Sequence, residues 1–158
     1  MSYILKLLKN NFLLTLLSFM KSKNWVNRQK NDQFVKKAKQ LGYINRASFK
    51  LEEIEQKYKI IENSKEILEL GSSPGGWTQV ILNYNPKTNI TCFDLLDMKM
   101  NNKRITFYRE DFLKYNFINL KTKFDLILSD VAPNTTGHQS TDHLRISQLI
   151  YEVIDRLE

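Results

Sequence analysis

The chain has 158 residues, enough for one domain with a single core, and an apolar content of 42% excludes a disordered polymer. A lone cysteine, Cys92, excludes an internal disulfide framework and a cysteine-based zinc site, and His138 and His143 flank no cysteine that would make a structural metal site. The net charge of +7 is carried by the front: residues 1–60 hold thirteen Lys or Arg against Asp32, Glu52, Glu53 and Glu55, which fits a polyanion meeting the N-terminal part or, more plainly, a solubilising or targeting tail.

The first thirty-one residues contain no acid, and Phe12 to Met20 is almost wholly apolar. A membrane span needs about 20 apolar residues, and Lys6, Lys9, Asn10 and Asn11 cut this run short. No small-residue cleavage site follows it, whereas a mitochondrial presequence or an extension that never folds both fit; residues 1–22 are therefore set apart from the fold. From Asn31 to Leu41, Phe34, Ala38 and Leu41 share a helical face with lysines opposite. Ala47 to Tyr58 continues helically, with Phe49, Leu51, Ile54 and Tyr58 toward the core and Glu52, Glu53 and Lys57 toward water. The period then changes. Lys65–Leu70 reads as a buried strand, Gly75–Tyr84 as a helix, Asn89–Asp94, Ile105–Tyr108 and Phe124–Asp130 as further strands, and a helix follows from about Ser140. Such alternation predicts a parallel, doubly wound α/β sheet. Three parts result: an extension (1–22), a basic helical docking segment (23–60) and the sheet domain (61–158).

Gly71-Ser-Ser-Pro-Gly75-Gly76-Trp77 lies between the first predicted strand and its helix, where glycines allow a tight turn and a close ligand approach. A dinucleotide site would show G-x-G-x-x-G; here the spacing is G-x-x-x-G-G and Pro74 removes a donor, so a pyrophosphate cradle is the weaker reading beside a merely structural turn. Asp94 ends the second strand 19 residues after Gly75, where a carboxylate accepts hydrogen bonds from ribose hydroxyls. Asp111 closes the third strand and suits an adenine amino group. Asp130 closes the fourth, where it meets substrate and cofactor together or simply caps the next loop. Each acid alone reads as a solvated loop residue; three at one carboxyl edge describe an adenosine pocket.

Five segments in order, Arg46-Ala-Ser-Phe-Lys50-Leu51, the glycine turn 71–77, Asp94-Leu-Leu-Asp-Met98, Glu110-Asp111-Phe112 and Ser129-Asp-Val-Ala-Pro-Asn134, resemble the FtsJ/RlmE family of ribosomal RNA 2′-O-ribose methyltransferases from about Lys23 to the C-terminus. The resemblance implies a Rossmann-like methyltransferase fold that binds S-adenosyl-L-methionine and acts on a uridine of large-subunit ribosomal RNA, usually within the assembled subunit. It assigns Gly71, Gly75, Gly76 and Trp77 to the methionine side of the cofactor, Asp94 and Asp111 to the adenosine, and Asp130 to the reacting end. It further implies a Lys-Asp-Lys-Glu catalytic set, in which Lys50 and Asp130 fit the first two places, although a lysine on a basic helix is otherwise ordinary surface.

The second lysine and the glutamate are expected beyond the last helix, and Lys114, Lys121 and Lys123 precede the fourth strand on the wrong side of the topology. The sheet is thus expected to be incomplete after its fourth strand, with the segment Asp125-Leu-Ile-Leu-Ser-Asp130 at an edge open to pairing, and the chain to be truncated, poorly soluble and nearly without turnover. RNA contact is expected at Lys36, Lys37, Lys39 and Arg46, with Trp25 and Tyr43 as stacking surfaces. Alternatives are an incompetent remnant that binds RNA or the ribosome, a nicotinamide-dependent oxidoreductase, and a tRNA or mRNA-cap 2′-O-methyltransferase. The family resemblance places the protein in the cytoplasm, and the basic leader keeps mitochondria open; neither a membrane nor a metal is expected as partner.

Overall fold

The computed structural model describes residues 4–6, 12–16, 32–131 and 139–157. In chain order they form β1 (Ile4–Lys6), β2 (Phe12–Leu16), α1 (Gln33–Gln40), α2 (Ser48–Tyr58), β3 (Glu66–Leu70), α3 (Gly76–Tyr84), β4 (Asn89–Phe93), β5 (Ile105–Tyr108), a 3-10 turn (Phe117–Leu120), β6 (Leu126–Ser129) and α4 (Gln139–Leu157). The sheet order is β1-β2-β6-β3-β4-β5, and β6, β3, β4 and β5 are all parallel. This four-strand parallel body with flanking helices is the expected Rossmann-like arrangement.

Side chains alternate across the strands as the period of two requires. Ile67, Ile90, Cys92, Leu126 and Leu128 pack under Leu51, Ile54, Trp77, Val80 and Ile81 of α2 and α3. Leu68, Leu70, Phe93 and Ile127 face the other way, against Phe112, Phe124 and Leu149 of α4. Asp32 caps α1 by accepting from Phe34 N at 2.8 Å, which satisfies one of the orphan amides of its first turn. At the far end of α2, Lys59 takes a left-handed conformation, and the buried Glu55 carboxylate accepts from Ile61 N and Glu62 N at 2.8 and 3.2 Å.

Several expectations need correcting. Residues 4–6 and 12–16, set apart from the fold, are strands of the sheet. β2 pairs in parallel with β6 (Phe12 opposite Leu126, Thr15 opposite Ser129), so the fourth predicted strand is not an open edge. An apolar segment can supply the backbone donors and acceptors that an edge strand lacks. On α1 only Ala38 is buried; Phe34 and Leu41 are mostly exposed, and Phe34 leans on Phe49 with ring centroids 6.1 Å apart. Tyr58, expected toward the core, is exposed too, and Glu55 of the same helix is inside. Among the described residues no helix is long and apolar enough to cross a membrane.

Candidate active site

Because β3, β4, β5 and β6 run the same way, their carboxyl ends share one edge, and Gly71, Asp94, Asp111 and Asp130 follow them there. Gly71 N and Ser72 N both donate to Phe93 O (2.8 and 3.2 Å), which bends the chain toward β4 as it leaves β3. Gly71 has φ 76°, and a Cβ on it would meet Val131 Cγ2 at 2.7 Å; any side chain there would displace the loop that carries Asp130. Gly75 opens α3 at φ 111° with Met100 Cγ pressed to within 2.9 Å of its absent Cβ. At Gly76 a methyl would collide with Asn45 Oδ1.

The second and third acids brace their own loops. Asp94 accepts from Ser73 N and Leu96 N, one on each oxygen at 2.8 Å, and Ser73 Oγ donates to Asp97 O at 2.9 Å. Asp111 accepts from Leu113 N at 3.0 Å and lies 3.6 Å from the exposed Lys114 Nζ. A carboxylate has about four acceptor positions, so these bonds fix each group's direction and leave acceptor capacity for a ligand. The Ser72 hydroxyl, inside the glycine turn, is buried without a hydrogen-bond partner of good geometry. It acts on the buried Cys92 thiol, which places it toward the core.

The side chain of Trp77, expected on the methionine side, points into the core at 3% exposure, where its indole N–H donates to Ala47 O at 2.9 Å. Its bulk is needed between α2 and the sheet. Glu69, which no motif singled out, is fully buried at the end of β3 and accepts from Thr78 Oγ1 (2.6 Å) and the Cys92 thiol (3.7 Å). Burial pushes its carboxyl up to about 8, more than those bonds pull it down, and it is protonated at neutral pH. Burial, and then the neighbouring Glu69, also push the Cys92 thiol up, which makes it inert. An acid between Leu68 and Leu70 of a buried strand was the signal for Glu69.

Lys50 Nζ donates to Asp130 Oδ1 at 3.2 Å across 80 residues of sequence. Burial raises the Asp130 carboxyl above its ordinary range, while Lys50, and secondarily Arg46, draw it back down. Among the described residues these are the cations that act on it. Lys36, Lys37 and Lys39 are exposed on α1. Arg46 is ion-paired with Asp32. Tyr43 donates its hydroxyl to Glu52, a bond that, with burial, pushes the phenol up to about 12, and its ring meets Phe49 edge-on at 5.4 Å. Trp25 and Asn134 lie outside the described residues. Among the described residues no cluster of acids, histidines and cysteines could hold a metal ion.

A family model described as FtsJ-like methyltransferase matches residues 43–156. The chain belongs to that family. Within it, the ribosomal RNA large subunit methyltransferase E of Novosphingobium aromaticivorans is 39% identical over 139 residues, covering 85% of this chain and 62% of that protein. The protein of the same name in Zymomonas mobilis is 40% identical over 136 residues, covering 83% and 61%. The chain thus spans about three fifths of the length of these curated relatives. A crystal structure from Plasmodium falciparum, provisionally classed as a ribosomal RNA methyltransferase, superposes with a TM-score of 0.63 at 30% identity, covering 71% of this chain and 69% of that one. All five segments of the FtsJ-like resemblance fall within the matched range, and they include every residue placed above at the carboxyl edge.

Proposed function

We propose that this chain carries the cofactor half and the first two catalytic groups of an S-adenosyl-L-methionine-dependent 2′-O-methyltransferase for large-subunit ribosomal RNA. The observation that supports it most is the Lys50–Asp130 pair, brought to 3.2 Å at the same sheet edge as the glycine turn and the two loop-bracing carboxylates. The names of its relatives point to ribosomal RNA of the large subunit as substrate.

The residues present fit the cofactor. Asp94 and Asp111 offer acceptors suited to ribose hydroxyls and an adenine amino group. The glycine turn from Gly71 to Gly76, at the start of α3, suits the methionine end. When bound, S-adenosyl-L-methionine supplies a methyl made electrophilic by its sulfonium. The chain's own residues supply alignment and charge. Asp130 presents an acceptor to the 2′-hydroxyl proton, and Lys50 sets a cation where negative charge grows on the 2′-oxygen. Lys36, Lys37 and Lys39 give the phosphate backbone an exposed cationic face whose grip should weaken steeply with salt.

Calorimetric titration of the purified chain with S-adenosyl-L-methionine tests this reading. Saturable binding that Asp94→Ala or Asp111→Ala weakens at least tenfold is expected; binding of NAD instead would overturn it. A second reading is an RNA- or ribosome-binding chain that keeps the cofactor pocket without turnover. Transfer of labelled methyl to large ribosomal subunits separates the two.

A further inference from the structure

The ammonium of Lys50 makes one hydrogen bond to Asp130, and a single bond of that kind between partly exposed groups does little to fix where α2 begins. What fixes it lies on the other side. Residues 42–48, leading into α2, are fastened to the first turn of α3 by a run of bonds between segments some 30 residues apart. Gln79 accepts from Ile44 N at 2.9 Å with one end of its amide and donates to Gly42 O at 2.8 Å with the other. Ser48 Oγ donates to Gly76 O at 3.0 Å, and the Trp77 indole donates to Ala47 O. Asn45 bends the chain by accepting from Ala47 N at 3.0 Å, and its side chain occupies the space that a Cβ on Gly76 would need.

Each of these contacts meets the segment within eight residues of Lys50, and α3 begins at the glycine turn itself. We propose that Asn45 and Gln79 are positioning residues: they clasp the start of α2 against the first turn of α3 and thereby hold the Lys50 ammonium on Asp130, in register with the cofactor turn. The functional meaning of the clasp rests on the methyltransferase reading above; its geometry does not. Glycine at position 76 is then required by the approach of Asn45 as well as by any ligand.

The test uses the full 158-residue chain and reads the titration of Asp130 directly, by carbon NMR of its carboxyl. Both cations that lower it, Lys50 and Arg46, ride on the clasped segment. In Gln79→Met, which keeps the length and half-buried setting of the side chain without either hydrogen bond, the Asp130 midpoint should rise by about one pH unit as the cations draw away. Gly76→Ala should raise it as well, and the double variant Gly76→Ala/Asn45→Ser should bring it back, because serine keeps a short acceptor for Ala47 N and vacates the space. That restoration is a result general destabilisation would not produce. An unchanged midpoint in folded Gln79→Met, or a double variant no better than Gly76→Ala, overturns the clasp. Cofactor affinity, measured on the same samples, is a separate readout. If the unsubstituted chain fails to bind S-adenosyl-L-methionine while the midpoints move as stated, the clasp stands and the methyltransferase reading falls.

Discussion

Glu69 lies within β3, and Asp130 lies just past the end of the adjacent β6, two residues beyond Leu128, which stands opposite Glu69; Asp130 N donates to Leu70 O. Burial raises both carboxyls, yet the two are kept in different ways. Glu69 is fully enclosed, it accepts from a hydroxyl and a thiol, and the nearby charge of Asp130 pushes it further toward the neutral acid. Asp130 retains some contact with solvent and has a lysine on it. Enclosure without a cation produces an uncharged acid that serves packing; slightly less enclosure with a cation produces a charged pair available to a ligand. One strand's width separates a structural carboxyl from a candidate catalytic one.

The largest effect should come from giving Glu69 a charge it cannot lose cheaply. Glu69→Lys would bury an ammonium beside Thr78 and Cys92 and should cost at least about 4 kcal/mol, seen as loss of the cooperative urea transition. A folded, cooperative Glu69→Lys would show that the site is wetter than its burial implies, and the contrast with Asp130 would dissolve. Next in size is the pH dependence of the unsubstituted chain. The folded-state value of Glu69, about 8, stands above its ordinary 4.5, so the native protein binds the proton more tightly than the unfolded one. This stabilisation is complete below about pH 4.5 and is lost as pH rises through about 8, with a slope of up to about 1.4 kcal/mol per pH unit between them. Urea unfolding from pH 5 to pH 8 should show falling stability, and Glu69→Gln, an uncharged near-isostere, should flatten the curve. A slope that survives Glu69→Gln belongs to another group.

The periodic elements of this contrast were legible in the sequence, and their environments were not. The four parallel strands could be read because each is a short run rich in apolar residues between turns, and they alternate with helices, a pattern that needs no partner to be seen. Glu69 could not, since its neighbours Thr78 and Cys92 lie 9 and 23 residues away and only folding joins them. Phe34 and Tyr58 were misplaced because a helical wheel gives a face without saying how much of it finds a neighbour. The strands at residues 4–6 and 12–16 were missed for a different reason: an acid-free apolar run beside lysines has the composition of a leader, and parallel pairing with β6 leaves no trace in local spacing. The Lys50–Asp130 pair spans 80 residues and came from the family resemblance alone.

Removing the cation is the smallest perturbation in stability and the sharpest for the comparison. Lys50→Met keeps the aliphatic length of the side chain and deletes its charge. The two groups are 33% and 22% exposed, so water screens their attraction, and the loss of folding stability should stay under about 1 kcal/mol by urea unfolding. The Asp130 carboxyl should nevertheless titrate higher, because desolvation already lifts it and the largest opposing influence is gone. That moves it toward Glu69 in character, a buried acid losing its hold on charge, while leaving the fold intact. If Lys50→Met instead cost as much stability as Glu69→Lys, the pair would be serving the core, and the distinction drawn between the two strands would have to be abandoned.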